Sequence, residues 1–214
     1  VTMYIPAHFR ADDRALAFDL IEEIRLGTMI SSGDGLDASH LPFLVRREEG
    51  AFGTLVGHCA RANAQWPTWE QAPDVLVTFI SPNTHVSPSW YTTHPRAPTW
   101  LYAAVHVRGR VHLKTDREAM REIVVAYSNE LEPPMSGWSV DSIPDYVEKL
   151  LPGIVGFHIE ITDIKIQLRL AQQNGVDDRL KVLAALRRGT ATQQQVADLI
   201  SRFAFDDAGN LLRS

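Results

Sequence analysis

Residues 100–113, WLYAAVHVRGRVHL, put Val105, Val107, Val111 and Leu113 on one parity and His106, Arg108, Arg110 and His112 on the other. Side chains of an extended strand point alternately to its two faces, so this run is a strand with one face buried and one polar. A chain built around such a strand needs partners along both edges and a cover for one face.

The partners are read from short β-like runs that begin at Gly27: GTMIS, LDASHLPFLV at 36–45, GTLVGHCA at 53–60 and DVLVTFI at 74–80. They are broken by SGDG, REEG and proline-bearing turns. A last strand, GIVGFHIEITDIKIQLRL from Gly153, alternates through Val155, Phe157, Ile159 and Ile161 and then changes phase at Ile164, Ile166 and Leu168, which predicts a bulge near Thr162 and Asp163. Helices are expected at 12–26, with Asp12 as cap and Gly27 as stop, at 116–131 behind Asp116, and at 144–151 opened by Pro144. Two more flank a Gly189–Thr190 turn. The fold class is therefore α+β, mainly β: six antiparallel strands in a barrel with peripheral helices. The barrel domain is expected to span 1–174, with a helical appendage over 175–214.

A chain of 214 residues with 45% hydrophobic content can bury a substantial core without staples. One cysteine excludes an internal disulfide framework and a paired-cysteine zinc site, which points to a reducing, cytoplasmic setting. The amino terminus lacks a basic stretch followed by a long apolar segment. No run reaches the roughly 18 apolar residues of a membrane span, so no membrane partner is expected. The net charge of -5 argues against an electrostatically driven grip on nucleic acid.

Three sets of residues invite chemistry. His58 and Cys59 are adjacent, so on a strand they face opposite ways and cannot chelate one ion; His106 and His112 are separated by roughly 20 Å of extended chain. No metal site is expected, and Cys59 reads as a buried thiol. In CARANAQW, Arg61, Asn63 and Gln65 set one fixed cation and two amides beside Trp66, groups that suit a phosphate and an attached flat heterocycle. The same residues also fit a solvated strand end whose tryptophan plugs the barrel. In SPNTHVSPSWY, Ser87, Ser89, Trp90 and Tyr91 either line a pocket or form a proline-pinned turn. No glycine-rich phosphate loop and no Gly-x-Ser-x-Gly elbow is present.

The blocks MYIPAHF (3–9), ASHLPFLV (38–45), GHCARANAQW (57–66), SPSWY (87–91), PTWLYAAVHVRGRV (98–111) and IVGFHIEI (154–161), in this order, resemble the PaiB family. That family is described as FMN-binding negative transcriptional regulators and belongs with the FMN-binding split β-barrel proteins, which include pyridoxamine-phosphate-oxidase-like flavoproteins. The resemblance covers about residues 3–186. It implies a six-stranded split barrel in a homodimer, FMN as cofactor, Arg61, Asn63 and Gln65 at the phosphate, and Ser87 to Trp90 beside the cofactor cleft. His40 and His58 are then expected on neighbouring strands as pocket-wall or core-polar residues. The chain departs from the family pattern at PTWLY, where Leu101 replaces a polar residue, and at RLAQQ (169–173) in place of KLSQN.

Three functions follow. One is a flavin-binding protein of the oxidoreductase type, in which the cofactor carries the electrons. A second is regulation through DNA, for which the helices LKVLAALRRG and TQQQVADLISR around a short turn offer a loose helix-turn-helix with three glutamines able to read bases. The third is haem binding, as in some split-barrel relatives, although the sequence singles out no axial histidine.

Overall fold

The computed structural model describes residues 3–133, 135–203 and 205. In chain order its elements are β1 (Arg10–Ala11), α1 (Arg14–Ile24), β2 (Leu26–Ser31), β3 (Asp37–Pro42), β4 (Leu44–Arg46), β5 (Thr54–Ala60) and β6 (Asp74–Ile80). There follow β7 (Thr84–Val86), β8 (Thr99–Lys114), α2 (Arg117–Leu131), α3 (Pro144–Leu150), β9 (Ile154–Arg169), α4 (Val176–Arg187) and α5 (Ala191–Ser201). No helix among the described residues is long and apolar enough to cross a membrane. The chain forms two compact units. One, the sheet unit, holds residues 18–79 and 107–164; the other, the hairpin unit, holds the segments before 18, from 80 to 106, and after 164.

In the sheet unit the strands run in the order β3-β2-β6-β8-β9-β5-β4. Antiparallel registers such as Thr28↔His40, Met29↔Val77, Val56↔His158 and Leu44↔Val56 fix the pairing. β3 and β5 are not hydrogen-bonded to each other yet approach, so this sheet curls as a split barrel does. The expectation of six strands is corrected to nine among the described residues. The run 36–45 breaks at Phe43, whose N–H leaves the ladder to bond Arg25 O at 2.9 Å, and the short β1 and β7 carry too little pattern to be read. His40 on β3 and His58 on β5 stand on strands that approach each other without sharing a ladder: β3 pairs with β2, whereas β5 pairs with β4 and β9.

Phe43, Phe79, Trp69 and Phe157 are all buried and meet edge-to-face, with ring centroids 5.6 Å (Phe43–Phe79), 6.2 Å (Phe43–Phe157) and 5.0 Å (Trp69–Phe157) apart. Room for these rings comes from two glycines. A Cβ at Gly57 would lie 2.5 Å from the Phe157 ring, and one at Gly27 would lie 2.7 Å from Phe79. Gly27 is therefore a strand residue and does not stop α1. The helix ends instead at Arg25, which takes the left-handed φ of 57°, and it is capped by Asp13 Oδ1, one residue after the expected Asp12. α2 begins as read, with Asp116 accepting from Ala119 N at 2.8 Å. Its buried Tyr127 hydroxyl lies 2.6 Å from Pro42 O and 3.1 Å from Val56 O, which fastens the helix to the strands.

In the hairpin unit, β7 pairs with the first residues of β8 and β1 with the last residues of β9. Leu101 has 0% exposure and shares a core with Val86, Tyr91, Val182, Leu186 and Val196, so α4 and α5 pack directly on strand residues. Of the expected appendage, residue 204 and residues 206–214 lie outside the described residues. The α4–α5 turn is closed by a capping box between Thr190 and Gln193. Near the start of α4, Asp178 is 2% exposed and accepts from Thr92 N and Oγ1, both at 2.6 Å, from Thr93 Oγ1 at 2.6 Å and from Arg96 Nη2 at 2.5 Å. Burial alone would raise the pKa of this carboxyl. The hydrogen bonds from Thr92 and Thr93 outweigh it and hold the group well below the usual carboxylate range.

Two stability changes follow. Gly57→Ala is expected to destabilise by about 1–3 kcal/mol through overpacking against Phe157, measured by urea denaturation with an unchanged m-value. Asp178 has a depressed folded pKa, so its contribution is fully present above the unfolded pKa of about 3.9 and is lost as pH falls toward the folded value. Asp178→Asn should lower the midpoint at pH 7 and flatten the decline of stability below about pH 4. An unchanged acid limb in that variant would show that Asp178 is not what holds the loop to α4.

Candidate functional site

The corner that follows β5 is built on Arg61. Its N–H donates to Gly153 O at 2.8 Å, its Nε to Pro152 O at 2.7 Å and its Nη2 to Ile154 O at 2.9 Å. Backbone carbonyls on the approach to β9 thus fix the guanidinium plane. The side chain stays exposed, and its Nη1 makes no hydrogen bond among the described residues. Trp66 donates its indole N–H to Arg61 O at 2.9 Å, and its half-buried ring lies 6.0 Å from the guanidinium carbon. This pair leaves one cationic edge and one aromatic surface at the corner.

The two amides are turned the other way. Asn63 donates Nδ2–H to Ser39 Oγ at 2.9 Å and accepts Gln65 N–H on Oδ1 at 2.8 Å, an Asx turn. Gln65 is 3% exposed, and its Nε2 reaches Met29 O, Ser31 Oγ and Asp37 O, so it ties β2 to β3. Its Oε1 is buried without a partner among the described residues. Both side chains shape the corner from behind. Ser31 also lines a cleft of about 440 Å³, together with Ile30, Asp74, Arg108 and Thr162. That cleft was not legible in the sequence because its walls come from four separate strands.

Exposed His40 places Nδ1 3.0 Å from Thr28 Oγ1 on the paired strand. His58 is half-buried, with its ring 4.9 Å from Tyr127, and its Nδ1 is buried without a partner among the described residues. Burial lowers its pKa, so the ring is neutral at pH 7. Cys59 points into the core, as the strand alternation requires, and burial pushes its thiol up to about 11. No group of three or more His, Cys, Asp or Glu side chains among the described residues is placed to hold a metal ion.

Ser87, Ser89 and Trp90 belong to the hairpin unit, whereas Arg61, Asn63, Gln65, Trp66, His40 and His58 belong to the sheet unit. Ser87 opens a 3-10 turn over Pro88–Trp90: its Oγ accepts from Ser89 N at 3.3 Å, and the two hydroxyls lie 2.8 Å apart. Only one hydroxyl proton is used in that contact, which leaves the other for a ligand. Trp90 is half-buried against the core formed with α4 and α5. In α5, Gln193 Oε1 accepts from Thr190 N at 2.9 Å and Gln194 Nε2 donates to Gly189 O at 3.1 Å. Two of the three glutamines considered for base reading therefore fold back onto their own turn.

Residues 3–163 match the family model described as "Putative FMN-binding domain". Over 203 residues the chain is 32% identical to Protease synthase and sporulation protein PAI 2 of Bacillus subtilis (strain 168), an alignment that covers 92% of this chain and 96% of that one. Two solved structures share the fold. The flavocytochrome Anf3 of Azotobacter vinelandii aligns with a TM-score of 0.53 at 13% identity, over 78% of this chain and 72% of its own. The FAD and heme binding protein of Mycobacterium smegmatis aligns at 0.52 and 16% identity, over 85% and 80%.

The Cys59 environment gives a direct check on the β5 geometry. In native protein at pH 8 the thiol should react with an aromatic disulfide reagent orders of magnitude more slowly than in denaturant, because it is both inaccessible and protonated. Rapid labelling of the folded chain would place Cys59 on the wrong face of β5.

Proposed function

This chain belongs to the FMN-binding domain family, and we propose that it binds FMN and works as a flavin-dependent redox or flavin-sensing negative regulator of transcription. The observation that carries the reading is Arg61. Its guanidinium is immobilised by Pro152 O and Ile154 O while Nη1 remains unused at an exposed corner beside Trp66. A cation already fixed in place loses little rotamer freedom when it takes up a phosphate oxygen, which favours tight anion binding.

In this assignment Arg61 holds the phosphate and Trp66 packs beside the heterocycle or its ribityl chain. Asn63 and Gln65 act as positioning residues behind them. His40 and His58, which belong to the same unit as Arg61, are assigned to the walls. Leu101 takes no part, since it is sealed in the core under α4 and α5. Bound FMN would supply the one- or two-electron chemistry, and the protein would set its position and potential. We further propose a homodimer, and a cytoplasmic setting supported by the lone, free cysteine. The α4–α5 helices are the DNA-facing candidates, although Gln193 and Gln194 are committed to the turn and α5 carries no lysine or arginine.

The test is a visible spectrum of the purified protein followed by FMN titration of the apo-protein and of Arg61→Ala. Flavin bands are expected, with affinity lowered by about 10- to 100-fold in the variant, the range for losing one or two hydrogen bonds to a charged group. Thermal midpoints measured alongside separate loss of the phosphate contact from loss of the brace to β9. A colourless protein without FMN affinity would sink the flavin assignment. A Soret band would redirect it to haem.

A further inference from the structure

A second concavity lies within the sheet unit, between α2 and the β5–β9 pair, and has a volume of about 240 Å³. Its floor is the register pair Val56↔His158, and its helical wall is Ala119, Ile123 and Ala126. The two alanines leave the space that larger residues would fill. Arg46, Glu49, Lys114 and Glu122 complete the rim, so both signs of charge line one small pocket.

These charges are not all spent on one another. Arg46 Nη1 is held by Glu130 Oε1 at 2.5 Å, and Glu49 Oε1 lies 3.3 Å from His158 Nδ1. Lys114 and Glu122 have no ion pair or hydrogen bond from their side chains among the described residues. A half-buried lysine and an exposed glutamate that line the same pocket without pairing are matched by a ligand carrying both charges. A simple anion would meet Glu49 and Glu122; a simple cation would meet Lys114 and Arg46.

We infer that this pocket binds a small zwitterion of the α-amino-acid class, with its carboxylate toward Lys114 and its ammonium toward Glu122. His158 adds to the ammonium side. Burial lowers its pKa, and although Glu49 works in the opposite direction, Lys114 and Arg46 also disfavour the imidazolium. The neutral ring gives its Nδ1–H to Glu49, and the remaining Nε2 lone pair can accept from an ammonium. The apolar wall of Ala119, Ile123 and Ala126 suits a short aliphatic side chain. This site shares no residue with the Arg61 corner, so its existence does not depend on the flavin reading.

The experiment is calorimetric titration of the full chain with glycine, L-alanine and L-valine, beside acetate, propionate, isobutyrate and the matching primary amines. Saturable binding of the amino acids is expected, at least about tenfold tighter than either single-charge analogue, as loss of a charge-assisted contact implies. Lys114→Met and Glu122→Gln should each weaken amino-acid binding by about tenfold while leaving the thermal midpoint near that of the parent, because neither charged group has a hydrogen bond or ion pair to lose among the described residues. Ala119→Leu, which fills the cavity, should abolish binding. No binding of any amino acid at millimolar concentrations would overturn the proposal. So would acetate binding as tightly as glycine, or affinity indifferent to both charge substitutions.

Discussion

The packing of Phe157 and Phe79 against two glycine positions is the constraint on which the sheet unit depends. Without a Cβ at 27 and 57, strands β2 and β5 let the outer edges of these rings approach their backbone. Phe43 and Trp69 then close the cluster from the loop between β3 and β4 and from the turn after β5. Interiors are packed as tightly as organic crystals, so ring positions and strand register are mutually fixed. A one-residue slip of β5 would bring Val56 or His58 to the ring and turn Cys59 to the face that packs on α2. The corner at Arg61 inherits its position from this register, because β5 delivers it opposite the carbonyls of Pro152 and Ile154.

That inheritance explains why the polar residues of CARANAQW divide their labour. A turn leaving a barrel strand has orphan donors and acceptors of its own, and unsatisfied groups in such a place are costly. Asn63 and Gln65 meet the need from inside, Gln65 by bridging to β2 and β3. Arg61 can then be braced on carbonyls and still keep an edge for solvent or ligand. The buried Oε1 of Gln65 has no partner among the described residues.

Much of the architecture was legible in the chain because periodicity reports burial. The alternation at Val105, Val107 and Val111 matches the buried face of β8, and the phase change after Ile161 returns as buried Ile166 and Leu168 in β9. Asp116 and the Gly189–Thr190 turn carry local capping chemistry and were equally readable. Features set by tertiary partners were not. Nothing near Phe43 announces that its N–H would leave the ladder for Arg25, and a glycine after a helix reads as a stop unless Phe79 is known to lie against it. The residue types of the candidate site were visible, but the direction of each side chain was not. Asn63 and Gln65 look like ligands by type and act as scaffolding by contact. The α2 pocket was invisible for a related reason: Arg46, Lys114 and His158 come together only through the register of β4, β8 and β9.

The same distinction bears on how a regulatory role can be built from this chain. Gln193 cannot read a base while its Oε1 completes the capping box, and freeing it would cost the helix about 1 kcal/mol at its N-terminus. Gln194 is likewise held on Gly189 O, and Arg187 donates to Ser201 at 3.1 Å. The α4–α5 turn is thus made rigid by the very residues that sequence alone would assign to recognition. A rigid hairpin is well suited to transmit an orientation, since its core with Val86 and Leu101 couples the helices to strands β7 and β8 inside one unit. Specificity in such a device would come from where the hairpin is held, and less from which side chains it extends.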